Sequence, residues 1–168
     1  MDPEFNPEQW ANFFVAETGA TAALAGLVIV AISINLKAIV SGRLLSGRAA
    51  ETVAMLGCIL ILSTLVLVPK QSLTILGGEI LILGMATASL NARILIRARH
   101  LHHDQEARWV RVVLALGVTL PLLLCGASLL AQPHRMVPGG LYWLVPTVVF
   151  GLVGGLLSSW VLLVEILR

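Results

Sequence analysis

Two glutamates pose the chemical question. Glu17 and Glu79 each interrupt a long apolar run, in a chain where such interruptions are few. A carboxylate in hydrocarbon is costly, and it persists there by taking up a proton, by pairing or by facing water. At 1.5 Å per helical residue, Glu17 stands about 10 Å along its helix from Trp10, and Glu79 about 10 Å from Ser72. If both helices start on the same side of a bilayer, the two carboxylates arrive at one depth. On the first helix, Glu17, Thr21, Val28 and Asn35 share a face, so a polar strip runs inward from the glutamate. Glu17, Glu79, Thr21 and Asn35 are therefore the candidate pore or ion-site residues. The competing expectation is that each glutamate is solvated among headgroups, or is held as structural glue by Thr18, Thr147 or a backbone amide.

Other chemistry-bearing residues form weaker sets. Glu51, Thr52 and Asn91 join Asn35 near the opposite end of the apolar runs. Glu51 follows Arg48 by one turn, the spacing of a surface ion pair of small worth. Glu165 is expected to be solvated alongside Arg168. His100, His102 and His103, beside Asp104 and Glu106, are metal-ligand types, but their spacing matches no defined zinc site. They read as a solvated loop, with metal binding or pH sensing as the weaker alternatives. Cys58 and Cys125 fall inside apolar runs without a C-x-x-C pair, which points to small buried residues rather than redox chemistry. No glycine-rich phosphate loop, H-E-x-x-H or G-x-S-x-G occurs, and every histidine lies between the apolar runs. The expectation is a protein that is not an enzyme and uses no cofactor or metal. A lipid-active enzyme ranks third among the readings.

The elements that would position these residues follow from composition. Hydrophobic residues make up 58% of the 168-residue chain and charged residues 12%, about half of what a soluble domain carries. The charges cluster between apolar runs long enough to span about 30 Å of hydrocarbon. The fold class expected is an all-α integral membrane protein, a bundle of about five transmembrane helices with no soluble domain. The spans are placed at about 10–36, 50–68, 72–96, 109–131 and 141–167. Residues 1–5, Met-Asp-Pro-Glu-Phe, look vector-derived, and 6–168 form a single helical domain. Asn6 followed by Pro7 reads as a helix start, Ser72 as the cap of the third span, and Pro121 as a kink in the fourth. The stretch from Lys37 to Ala49 reads as a linker. Trp10, Phe13, Phe14, Tyr142 and Trp143 suit a headgroup boundary.

Nine of the eleven lysines and arginines fall in the 37–49 and 97–108 linkers, in the span ends beside them and at the C-terminus; Lys70 and Arg135 fall on the other side. The positive-inside rule then predicts an N-terminus outside and a cytoplasmic C-terminus. The chain resembles small multi-pass proteins of bacterial plasma (inner) membranes, which implies that location. No basic stripe interleaved with aromatics occurs, so nucleic acid is not an expected partner.

Helices in lipid associate through small residues, because apolar side chains gain little by leaving lipid for one another. Gly151, Gly155 and Ser159 mark such a face on the fifth span, Gly19 and Gly26 on the first, with Ala22 and Ser33, and Gly77 and Gly84 on the third, with Ala88. These faces serve either packing within the bundle or a subunit interface, the fifth span being the leading interface candidate. On the first and third helices the small-residue faces lie opposite the glutamates. The function expected is a homo-oligomeric channel or transporter subunit for a cation or proton, with an acidic site in the outer leaflet. The alternative is a non-catalytic membrane scaffold or regulator that binds another membrane protein through its glycine faces.

Overall fold

The computed structural model describes residues 5–34, 36, 39, 43–99, 105–131 and 139–166. Five long helices carry the chain: α1 (Pro7–Ile34), α2 (Arg43–Val66), α3 (Leu73–Arg99), α4 (Gln105–Leu130) and α5 (Leu144–Ile166). A short 3-10 turn, Gly140–Trp143, leads into α5. The described residues contain no strand. All five helices are long and apolar enough to cross a membrane. Large apolar side chains also cover the outside, among them Leu27, Ile34, Ile82 and Trp160, each at least 65% exposed. That much exposed apolar side-chain surface is unusual for a water-soluble monomer.

The helix starts follow local chemistry. Asn6 caps α1, its Oδ1 accepting from the Glu8 amide at 3.2 Å, and Pro7 takes the first helical position. Ser72 Oγ accepts from the Ile75 amide at 3.3 Å and starts α3. Between α2 and α3 the chain reverses through Pro69 and Lys70, with Lys70 at φ 58°, a left-handed conformation unusual for a side chain with a Cβ. Two expectations shift. The linker placed at 37–49 turns helical at Arg43, because Leu44, Leu45, Arg48, Ala49 and Ala50 are good helix formers that outweigh Gly47, and the stretch holds no proline. The fifth span opens as a 3-10 turn, with Gly139 in the left-handed region at φ 103°. α4 stays helical through Pro121.

The helices alternate in direction. One end of the bundle, the aromatic end, gathers the start of α1, the end of α2, the start of α3, the end of α4 and the start of α5. Trp10 meets Tyr142 edge-on at 4.8 Å between ring centroids, and Phe13 and Phe14 extend the cluster. Phe5, set aside by the sequence as vector-derived, is buried in the same core with Leu62, Val66, Leu76, Leu129 and Leu141. The other end is basic. α1 packs mainly on α2, α2 on α5, α5 on α4, and α4 on α3. α2 and α3 are joined by the tight turn, yet they touch only sparsely.

Glycines decide which helices approach closely. A Cβ on Gly126 of α4 would stand 2.9 Å from the Leu81 backbone nitrogen and 3.0 Å from the Gly77 carbonyl of α3. Gly77 and Gly84 are likewise filled by Leu129 and Leu123 of α4. On α5, Gly151 receives Ile59 and Gly155 receives Leu56, both from α2. The third- and fifth-span small-residue faces are therefore consumed inside the bundle. The fifth had been the leading interface candidate, and its glycines are already occupied by α2 side chains. Ser159, on the same helix, donates its hydroxyl to the Gly155 carbonyl at 2.7 Å. The first-span face is the reverse case. Among the described residues nothing lies within 4 Å of a Cβ at Gly19 or Gly26, and Ala22 and Ser33 are exposed beside them.

Candidate ion-binding site

Glu17 lies on the inward side of α1 and is 9% exposed, with Phe14, Thr21 and Val28 buried on the same side. The face expected from helical spacing is thus the one that packs, and Asn35, its last member, lies outside the described residues. Thr21 Oγ1 donates to Glu17 Oε1 at 3.0 Å, across one turn. The partner supplied by the described residues is a hydroxyl and not a cation. Thr18 is engaged elsewhere, donating to the Phe14 carbonyl at 2.7 Å.

A second helix contributes at the same level. Leu24 of α1 and Leu56 of α2 both reach Gly155 of α5, which marks one height on the seam between these helices. Seven residues, two helical turns or about 10 Å, return a helix to the same face. Counting seven residues toward the aromatic end brings α1 to Glu17 and α2 to Ser63. Ser63 is fully buried, and its hydroxyl has no hydrogen-bond partner among the described residues. A buried hydroxyl without a partner carries a real desolvation penalty, so an orphan in this seam is a candidate position for a ligand. Eight residues from Gly155, α5 presents Thr147, also buried. Its hydroxyl is turned toward the backbone of α4 and of the 3-10 turn, at 3.4 Å from the Val118 carbonyl and 3.3 Å from the Trp143 carbonyl. Sequence reasoning found Glu17, Thr21 and Thr147 but missed Ser63. A serine in an apolar helix usually bonds its own backbone, and nothing local marks this one as different.

Glu79 occupies a separate interface. It is half-buried on α3, and Gln71 Nε2 donates to its Oε2 from two turns back toward the aromatic end. The other amide atom of Gln71, Oε1, is buried without a partner. α3 runs in the same direction as α1, as expected. Contact between α1 and α3 is at most marginal, however, and each carboxylate has its own local partner.

Toward the basic end, Asn91 of α3 donates to Thr119 Oγ1 of α4 at 3.0 Å, and Cys58 of α2 lies 3.5 Å from Thr87 Oγ1 of α3. Both cysteines are buried and free. Among the described residues no cluster of three or more histidine, cysteine, aspartate or glutamate side chains forms a metal site, and His100, His102 and His103 lie outside those residues. Among the described residues, the hydrogen-bond partner of the Glu17 carboxyl is an oxygen, the Thr21 hydroxyl, a pairing that suits protons and hard cations better than soft metals. The chain matches no known protein-family model, and comparison with curated proteins and with solved structures found no match.

Proposed function

We propose that the protein is a subunit of a homo-oligomeric membrane transporter or channel for a proton or small cation, with Glu17 as the carboxylate that binds the ion. What supports this reading is the burial of Glu17 inside an apolar bundle with Thr21 as its hydroxyl partner, and the buried Ser63 hydroxyl, unpartnered among the described residues, which helical register brings toward its level. A side chain so expensive to bury is retained where it binds something. Each protomer would hold its own site, since Glu17 faces its own bundle rather than the outside. Glu79 and Gln71 would form a second acidic position nearer the aromatic end, which attracts cations before they descend.

The helices would cross a bacterial plasma membrane with the aromatic end outside, placing N-terminus out and C-terminus in the cytoplasm by the excess of lysine and arginine at the basic end. Flux assays in reconstituted vesicles test the function. Wild type should carry protons or a monovalent or divalent cation down an imposed gradient, and Glu17→Gln should abolish or reshape that flux. Absence of flux for all these ions in wild-type vesicles sinks the proposal.

A second reading keeps one specific observation on its side. The open Gly19, Ala22, Gly26 and Ser33 face of α1 suits a close-packed partner helix, as a scaffold or regulator of another membrane protein would need. That reading expects a partner co-purifying at fixed stoichiometry and lost in Gly26→Leu, with Glu17→Gln harmless.

A further inference from the structure

A cavity of about 310 Å³ opens between α2 and α3. It exists because these helices are drawn to different neighbours. α3 is locked to α4 through Gly77, Gly84 and Gly126, while α2 is taken up by α1 and α5, so the hairpin they form is splayed. Small residues line the gap without filling it: Ala54 and Gly57 on α2, Ala86 on α3. Nothing lies within 4 Å of a Cβ at Gly57.

The walls are apolar to a ligand even where the residues are not. Cys58 and Thr87 are in contact with each other, and Asn91 donates to Thr119 on α4. Glu51, at the basic end of the groove, is already engaged within the protein. What the groove presents is therefore mainly hydrocarbon, and a polar solute would gain nothing from entering it. Along α2 the lining runs from Glu51 to Ile61, ten residues or about 15 Å, which is half of the roughly 30 Å hydrocarbon thickness of a bilayer. At its basic end stands Arg93, exposed, one residue before the lining residue Ile94, with Arg97 and Arg99 following on the same helix.

We propose that this groove binds one acyl chain of an anionic phospholipid from the leaflet on the basic side, with Arg93 meeting the headgroup phosphate. Length, apolar lining and charge at the mouth all match that occupant. The volume falls at the lower edge of ordinary ligand sites, enough for one chain. The site is separate from Glu17, and it stands or falls independently of ion transport.

The test uses the full-length protein in vesicles containing an anionic or a choline phospholipid, each with the same photoactivatable acyl chain, and maps labelled residues by mass spectrometry. Labels should concentrate on residues 54–61 and 83–94. The anionic lipid should label severalfold more strongly than the choline lipid. Ala86→Trp, which fills the groove, should reduce labelling severalfold, as should the smaller Ala54→Leu if the tryptophan variant does not fold. Val153→Trp, on an exposed part of α5, should leave the map unchanged. Arg93→Gln should remove the headgroup preference while choline-lipid labelling persists. Even labelling of all exposed helix faces, insensitivity to groove filling, or equal labelling by the two lipids would overturn the assignment. So would cross-links between two copies of the chain at the groove positions, which would identify a second copy as its cover.

Discussion

Thr21 and Glu17 form one hydrogen-bonded pair across a single turn of α1, on the side of the helix that faces the bundle, while Gly19 and Gly26 on the other side meet nothing. The helix that carries the buried carboxyl is thus also the helix with an unfilled small-residue face. The proposed ion site and the open small-residue face lie on opposite sides of one element, and substitutions can separate them.

Thr21→Val keeps the shape of the side chain and removes its proton from Glu17 Oε1. A hydrogen bond contributes about 0.5–1.5 kcal/mol net between neutral groups and about 1.5–3 kcal/mol when one partner is charged. The variant is expected to unfold earlier in detergent by a free energy within those limits, and to alter flux in vesicles without abolishing it. Thermal unfolding and the vesicle assay measure the two effects separately.

Glycine substitutions should divide into two classes. Gly126→Leu and Gly155→Leu drive a side chain into α3 backbone or into Leu56, an overpacking that costs about 1–3 kcal/mol or more. They should lower yield and thermal stability whatever the assembly state. Gly26→Leu meets open space, so its stability should be unchanged, while the detergent-corrected mass of the complex should fall toward that of one chain. A wild-type protein that is already strictly monomeric would remove the homo-oligomer from the proposal.

The Asn91–Thr119 pair ties α3 to α4 toward the basic end of the apolar runs. Such interhelical hydrogen bonds average about 0.6 kcal/mol in double-mutant cycles. Asn91→Leu, Thr119→Val and their combination should return a coupling of that order in equilibrium unfolding. A coupling indistinguishable from zero would show that α3 and α4 are held by the glycine contacts alone.

Lys70 sits at φ 58° in the turn between α2 and α3, where a Cβ costs about 1–2 kcal/mol. Lys70→Gly relieves that strain but loosens the unfolded chain, so a net gain of about 1 kcal/mol is expected. Comparison with Lys70→Ala, which keeps the strain and removes the charge, isolates the backbone effect.

Local signals in the chain were enough for the elements. Five apolar runs gave five helices, because span length and hydropathy are additive along the sequence and need no partner. Asn6 and Ser72 were readable as caps because a cap is made by residues two or three positions away. Glu17 and Glu79 stood out because carboxylates are rare in such runs, and the shared face of Glu17, Thr21 and Val28 followed from helical spacing alone.

Which face turns inward was decided only by tertiary structure. A helix that is apolar all round has no amphipathic stripe to orient it, and lipid and helix are nearly equivalent neighbours for a leucine. Three glycine-bearing faces looked alike in the sequence. Packing consumed those on α3 and α5, through Leu123, Leu129, Ile59 and Leu56, and left the one on α1 open. The unpartnered hydroxyl of Ser63, the Gln71 hold on Glu79 and the groove between α2 and α3 depend on which helices won the close contacts. That competition among neighbours is settled by steric fit across the bundle, and no stretch of a single helix encodes it.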